Sequence, residues 1–293
     1  MYSYRIYGLG IHSEVPLPQL KAEDTSADVI IDLGTLDPSS AEVIGEGLTF
    51  RVTHQGVYLY WKDVGTFFVR DGREIVVDPA PSVDEHELCH FIVAPVLSVL
   101  LHQRGVLVLH GATVAVDGNA ITLLGDAGQG KSTLALALHK RGCGIVADDI
   151  TPVTVDAEGG PIVVSGPQWL KLCPDTIVSL GEDPKSFPLL EVAEKRARPV
   201  SLDLPQHAFS LRRIYILDEG STHKIEPIRP QDAFVELVRN SYLARLLQFL
   251  EPPSYLLQFT KIINAVPIRR LMIRKSFEEL PEVTRMVEED LQL

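Results

Sequence analysis

The chain has 293 residues, 45% of them hydrophobic and 23% charged, and carries a net charge of −12. This length sits near the upper limit for a single core, so two domains of unequal size are expected. The acidity argues against general nucleic-acid binding, which needs clustered Lys and Arg, and no apolar stretch approaches the 18 residues of a membrane span.

The opening "MYSYRIYGLG" has no basic region leading into an apolar core, so no signal peptide is expected. Residues 28–35, 48–54, 57–63, 66–72 and 73–79 are short, rich in β-branched and aromatic residues, and punctuated by turn signals such as Asp71-Gly72. They predict a small antiparallel β domain over 1–82, with the remainder, 83–293, as a second domain. The three cysteines, Cys89, Cys143 and Cys173, show no C-x-x-C pairing. They read as buried thiols of a reducing cytoplasm, forming neither a disulfide framework nor a zinc site.

Residues 83–104 predict a helix with acidic residues in its first turn, kinked or split at Pro95. Within it "HELCH", His86 to His90, matches the H-E-x-x-H pattern of helical zinc sites, with Glu87 in the place of a general base. A third ligand is missing from the downstream pattern, so the two histidines read better as a solvated or capping pair.

Next come "VLVLHG" and "ATVAVDGNAITLL", apolar runs joined by Asp117-Gly118, a strong hairpin signal. The strand entering the following loop is therefore expected to run antiparallel to its predecessor. That loop, "GDAGQGKS", has the phosphate-binding pattern G-x-x-x-x-G-K-[ST] with an apolar strand before it and a helix after it. Its glycines let successive N–H groups face a phosphate. Gly125, Asp126, Ala127, Gly128, Gln129, Gly130, Lys131, Ser132 and Thr133 are the candidate nucleotide-binding residues, Lys131 bridging the outer phosphates and Ser132 ligating Mg²⁺. The helix ends at Gly142, and "GIVADDI" predicts a buried strand that runs into Asp148 and Asp149. A pair of acids only 17 and 18 residues beyond Lys131 suggests two tasks. One could hold Mg²⁺ through water while the other accepts a proton from an attacking hydroxyl. Short strands and turns follow to about residue 230. The C-terminal part, 232–293, reads as helical: 232–250, 254–266 and an acidic terminal helix, with a half-buried strand at 267–275 between the last two.

The segment from Val108 to Ile150 resembles the catalytic core of the HPr kinase/phosphorylase family. These are serine kinases whose fold is like that of phosphoenolpyruvate carboxykinase. The likeness rests on His-Gly before a hairpin, G-D-x-G-x-G-K-S, a helix ending "RG", and "ADD"; it is good over roughly 104–150 and weak over 151–250. It implies an α/β (α+β) fold with a mixed-sheet P-loop core, and ATP and Mg²⁺ as cofactors. It also assigns Asp149 as the base toward a substrate serine, His110 as an active-site histidine, and Lys131 as the stabiliser of the transferring phosphoryl group. The family's later glycine-rich segment, with a Glu used for Mg²⁺, has no counterpart; "SGPQWLKLCPDTIVSLG" stands there, with Asp175 as the nearest acid. The family's arginine before a helix is also missing from "IRPQDAF", where only Arg229 or Arg239 could stand in. These departures point to a kinase without dephosphorylation.

The layout, with its opening "YGLGIHSEVPLPQL", further resembles stand-alone kinases of bacterial biosynthetic clusters. Some of those phosphorylate a serine of a ribosomal peptide, including the C-terminal serine of lasso-peptide precursors. The expected partner is thus a peptide or protein bearing a serine, with neither nucleic acid nor membrane involved. A free amino acid or sugar, HPr itself, or a nucleotide-binding regulatory module without catalysis are the alternatives. The apolar helices of 232–266 could serve a homo-oligomer interface or the core.

Overall fold

The computed structural model describes residues 1–40, 42–190, 194–200, 204, 208–242, 244–247, 249 and 252–292. The chain divides into two compact units, Met1–Val108 with Tyr242–Leu256, and Leu109–Ser241 with Leu257–Leu293.

The first unit is built on eight strands: β1 (Tyr2–Ile6), β2 (Leu9–Ser13), β3 (Val29–Leu33), β4 (Val43–Glu46), β5 (Phe50–Thr53), β6 (Gly56–Trp61), β7 (Gly65–Arg70) and β8 (Glu74–Pro79). They form one sheet in the order β1-β2-β3-β8-β7-β6-β5-β4. This sheet is mixed, not antiparallel as expected, because β3 runs parallel to both of its neighbours, β2 and β8. The long connections on either side of β3 permit such crossovers, which a two-residue turn cannot make. The β1–β2 hairpin escaped the sequence reading; its turn is Tyr7-Gly8, with φ of 52° and 75°.

The helix predicted after residue 82 exists as α1 (Glu85–Phe91), a π-helical stretch at Ile92–Val96, and α2 (Leu97–Gln103). Pro95 lies inside the π stretch, where the widened winding accommodates a residue that has no N–H to give and a ring that blocks the ordinary bond. The expected boundary at residue 82 separates this helix from the sheet, whereas the helix lies in the same compact unit as that sheet. Tyr7 Oη donates to Val93 O (3.0 Å), Gln103 Nε2 donates to Val69 O (3.1 Å), and Trp61 meets Phe91 edge-on. Asp84 caps α1 by accepting from the N–H groups of His86 and Glu87. Of the "HELCH" histidines, expected as a solvated or capping pair, His86 is half-buried and His90 is buried, as is Glu87 between them. Among the described residues no group of three or more His, Cys, Asp or Glu side chains could share a metal ion. None of the described helices is long and apolar enough to cross a membrane.

The second unit carries β9 (Leu107–Val116) from Leu109 onward, followed by β10 (Asn119–Leu124), α3 (Lys131–Lys140), β11 (Gly144–Ala147), β12 (Ile150–Val155) and β13 (Pro161–Val164). Then come β14 (Trp169–Leu172), α4 (Pro174–Ser179), β15 (Leu189–Leu190), β16 (Lys195–Pro199), β17 (Ala208–Glu219), β18 (Lys224–Pro227) and α5 (Pro230–Arg239). The chain ends with α6 (Ala244–Leu247, in the first unit), α7 (Pro252–Ala265), β19 (Ile268–Ile273) and α8 (Leu280–Leu291). The helix predicted over 232–250 is interrupted after Arg239, where Asn240 ends α5; residues 243, 248 and 250 of that prediction lie outside the described residues.

Its main sheet is mixed, in the order β10-β9-β12-β13-β17-β19-β18. The β9–β10 hairpin forms as its turn residues predict, with Asp117 at φ 47° and Gly118 at φ 75°. The free edge of β10 then pairs in parallel with β17, from Asn119↔Ser210 to Leu124↔Ile216. A separate antiparallel sheet, β14-β16-β15, stands beside the main one. The apolar face of α3 (Leu134, Ala135, Leu138) packs into a core with Leu123, Tyr215, Leu217, Val283 and Val287. The C-terminal helix is held by Asp290, which receives Tyr215 Oη (2.7 Å), Arg213 (2.8 Å) and Arg269.

Candidate active site

The end of β10 delivers Gly125 into the loop, and α3 begins at Lys131. Gly125 has φ 144°, and a Cβ there would meet Leu217 O at 2.9 Å, so β17 leaves room only for glycine. Gly130, the residue before the helix, has φ 88°, a conformation that L side chains rarely adopt. The loop is pinned from behind: Gly125 N donates to Asn240 Oδ1 (2.9 Å), and the main-chain carbonyl of the same Asn240 accepts from His110 N (2.6 Å).

A cavity of about 510 Å³ opens over residues 127–133, and His110, Asp148 and Asp149 line it. Gly125 and Asp126 lie outside it. Asp126 turns away to meet Arg239 at 3.3 Å, and that pair is largely exposed. Lys131 is buried, and its Nζ donates to Gly125 O (2.7 Å) and Asp126 O (3.2 Å). Burial pushes its ammonium below the ordinary lysine range, while Asp149 and Asp148 act in the opposite direction.

The acidic pair does not lie along one strand as expected. β11 ends at Ala147 and β12 starts at Ile150, so both aspartates occupy the break between them, with Asp149 at φ 69°. That left-handed residue, which Asp tolerates better than most, turns the two carboxylates to different partners. Asp148 Oδ1 accepts from Ser132 Oγ (2.8 Å) and Oδ2 from Lys171 N (2.7 Å). Asp149 Oδ1 faces His110 Nδ1 (3.2 Å), and Oδ2 faces Lys171 Nζ (3.2 Å). Burial raises the Asp148 pKa, and the N–H of Lys171 opposes this by favouring the charged form.

The residues fit a bound nucleotide phosphate and a hard cation. At Gly128 and Gly130 a Cβ would meet nothing within 4 Å, so the loop presents an open concavity at the start of a helix, where backbone N–H groups and the helix dipole favour an anion. Ser132 and Asp148 bring two oxygens together, a donor set suited to Mg²⁺, which takes few protein ligands and completes its shell with phosphate and water.

Three residues at the site escaped the sequence reading. Lys171 sits on β14 and Lys195 on β16, and both line the cavity. Asn240 is the C-cap of α5. Only Asn240 had a local signal, as an Asn after a helical run; strand alternation says nothing of which aspartate a lysine will meet. Asp175 lines the cavity, whereas Arg229 pairs with Asp232 at the surface and does not. Cys173 also lines the cavity and is exposed, contrary to the expectation that all three thiols are buried; Cys143 is half-buried and Cys89 buried.

Fold and site define a mixed α/β protein with a glycine-rich loop at a strand–helix junction facing an aspartate pair. No family model matches the chain. It is 29% identical over 151 residues to the HPr kinase/phosphorylase of Bordetella petrii, covering 46% of this chain and 49% of that protein. The match thus spans about half the length of the curated relative. The solved HPr(Ser) kinase/phosphatase of Coxiella burnetii aligns at a TM-score of 0.34 and 14% identity, over 63% of this chain and 90% of that one, too loosely to bear on the site. The curated relative bears the name of the family that residues 108–150 resemble, and the chain is similar to it over about half its length.

Proposed function

We propose that the protein is an ATP- and Mg²⁺-dependent kinase that transfers the γ-phosphoryl group to a serine hydroxyl of a peptide or protein. The particular acceptor we propose is the C-terminal serine of a lasso-peptide precursor. The observation that carries the transfer reading is the Asp149 carboxylate, held between His110 Nδ1 and Lys171 Nζ in the same cavity as Lys131 and Ser132. A nucleotide-binding module needs a carboxylate such as Asp148 to hold Mg²⁺, but has no use for a second one as a base.

In this reading the loop N–H groups and Lys131 bind the β- and γ-phosphates. Ser132 and Asp148 are the residues that hold Mg²⁺, which when bound neutralises phosphate charge. The serine Oγ attacks the γ-phosphorus as its proton passes to Asp149 Oδ, and the bond from phosphorus to the β,γ-bridging oxygen breaks to leave ADP. His110 keeps the Asp149 carboxylate turned toward the acceptor. The acceptor class is suggested by the family resemblance, and HPr, named in the curated relative, is the competing protein acceptor.

The test is an intact-mass assay with ATP and Mg²⁺ against HPr, free serine, and synthetic peptides with internal or C-terminal serine. Phosphate on the C-terminal-serine peptide and not on HPr is the expected result. Modification of HPr alone returns the protein to the activity of its relative. ATP binding with no product from any acceptor removes the kinase reading.

A further inference from the structure

The left-handed backbone at Asp149 turns the two consecutive aspartates apart, but it does not by itself hold each carboxylate on a fixed partner. Like charges side by side repel, and a two-residue break offers no ladder to hold them. Each of their four carboxylate oxygens meets Ser132, His110 or Lys171. Lys171 supplies two of the four, and by different parts of itself. Its main-chain N–H holds Asp148 Oδ2 at 2.7 Å, and its ammonium meets Asp149 Oδ2 at 3.2 Å.

We propose that Lys171 is the positioning residue that keeps the aspartate pair divided, Asp148 toward Ser132 and Asp149 toward His110. What the two tasks are rests on the kinase reading above; the placement itself does not. The strand makes Lys171 suited to this. On β14 Lys171 is the one half-buried residue between buried Leu170 and Leu172, and it lines the cavity together with Leu172. Pairing of β14 with β16 (Lys171↔Ala197) fixes its height along the wall. The side chain is only 15% exposed, so its contact with Asp149 is poorly screened by water.

Because the two holds come from backbone and side chain, substitution separates them. Lys171→Met keeps the N–H to Asp148 and most of the aliphatic stem but removes the cation from Asp149. Nucleotide affinity, measured by calorimetry with Mg²⁺, is expected to stay within about twofold of wild type. The kcat for serine phosphorylation falls about 100-fold, the scale of a misplaced catalytic group. Lys171→Arg restores part of that rate by restoring the charge, although its fork cannot copy a point contact.

A second readout does not depend on catalysis. In ¹⁵N-histidine-labelled protein the His110 Nδ1 resonance, assigned by its loss in His110→Gln, reports the contact with Asp149. It is expected to move in Asp149→Asn and, in the same direction, in Lys171→Met. An unmoved His110 resonance in Lys171→Met overturns the proposal, as does equal loss of nucleotide affinity and turnover. If the resonance moves while wild-type protein phosphorylates nothing, the placement by Lys171 stands and the kinase reading falls.

Discussion

Replacing Asp149 by Asn tests the base assignment with little disturbance of the fold. Asn is nearly isosteric and tolerates the left-handed backbone found there (φ 69°), whereas Ala would add about 1–2 kcal/mol of conformational strain. The amide oxygen can still accept from one of the two donors, His110 Nδ1 or Lys171 Nζ, each 3.2 Å from the carboxylate. The amide NH₂ must then face the other. One charge-assisted contact is lost, normally about 1.5–3 kcal/mol, but His110 is a third exposed and solvent weakens the effect. We expect a stability loss of about 1 kcal/mol. The rate effect is much larger, because a general base contributes about 10²–10⁴-fold, or about 3–5 kcal/mol of barrier. Single-turnover transfer followed by intact mass, with ATP affinity measured in parallel, should show the rate collapse at nearly constant affinity. Transfer by Asp149→Asn at the wild-type rate would refute the role of Asp149.

Three further expectations follow from the fold and the cavity wall. Brief alkylation with a maleimide should modify Cys173 first, and Mg²⁺ with ATP should slow it, because this thiol is exposed beside the loop, while burial pushes Cys89 up to about 12 and Cys143 up to about 11; peptide mapping that finds Cys89 labelled first contradicts the arrangement. Buried His102, its Nε2 against Tyr242 O, is driven by burial from 6.5 down to about 4, so it stays neutral in the folded chain while the unfolded chain takes up a proton below 6.5. That contribution to stability is complete above pH 6.5 and is lost as pH falls toward 4, about 2 kcal/mol between pH 7 and pH 5, and urea titrations of His102→Gln should show a correspondingly flatter pH dependence. Asp290→Ala leaves Arg213 and the Tyr215 hydroxyl without their buried acceptor; since Arg269 is 36% exposed, the loss should fall at the lower end of about 3–5 kcal/mol, read from denaturation followed by circular dichroism, and an unchanged midpoint would show that α8 is held by its apolar face alone.

What could be read in advance was what short-range chemistry encodes. Asp117-Gly118 announces a tight hairpin because both residues accept positive φ, and the strand–loop–helix around Lys131 is written in consecutive residues. The mixed pairing in the first unit was not legible, because Val29–Leu33 has the same β-branched pattern whether its neighbours run with it or against it. The aspartate pair was identified but its backbone was not, since nothing in "GIVADDI" signals that the strand breaks before Asp148. Lys171 was invisible for a different reason: the contact it makes spans 22 positions and depends on two sheets standing side by side. A lysine alternating with leucines looks like any strand edge until the tertiary partner is known.

Among the described residues no ladder joins the two sheets that share the cavity. The glycine-rich loop springs from a strand bonded along both edges, to β9 and to β17, and shearing it would break rows of main-chain bonds at once. Lys171 and Lys195 ride instead on a three-stranded ribbon whose strands bond to one another. The ribbon is tied to the loop side through Lys171, to Asp148 and Asp149. Under the proposed kinase reading, the cavity's width should vary chiefly away from that tie, toward Lys195 on β16, so that acceptors of different girth meet the same loop.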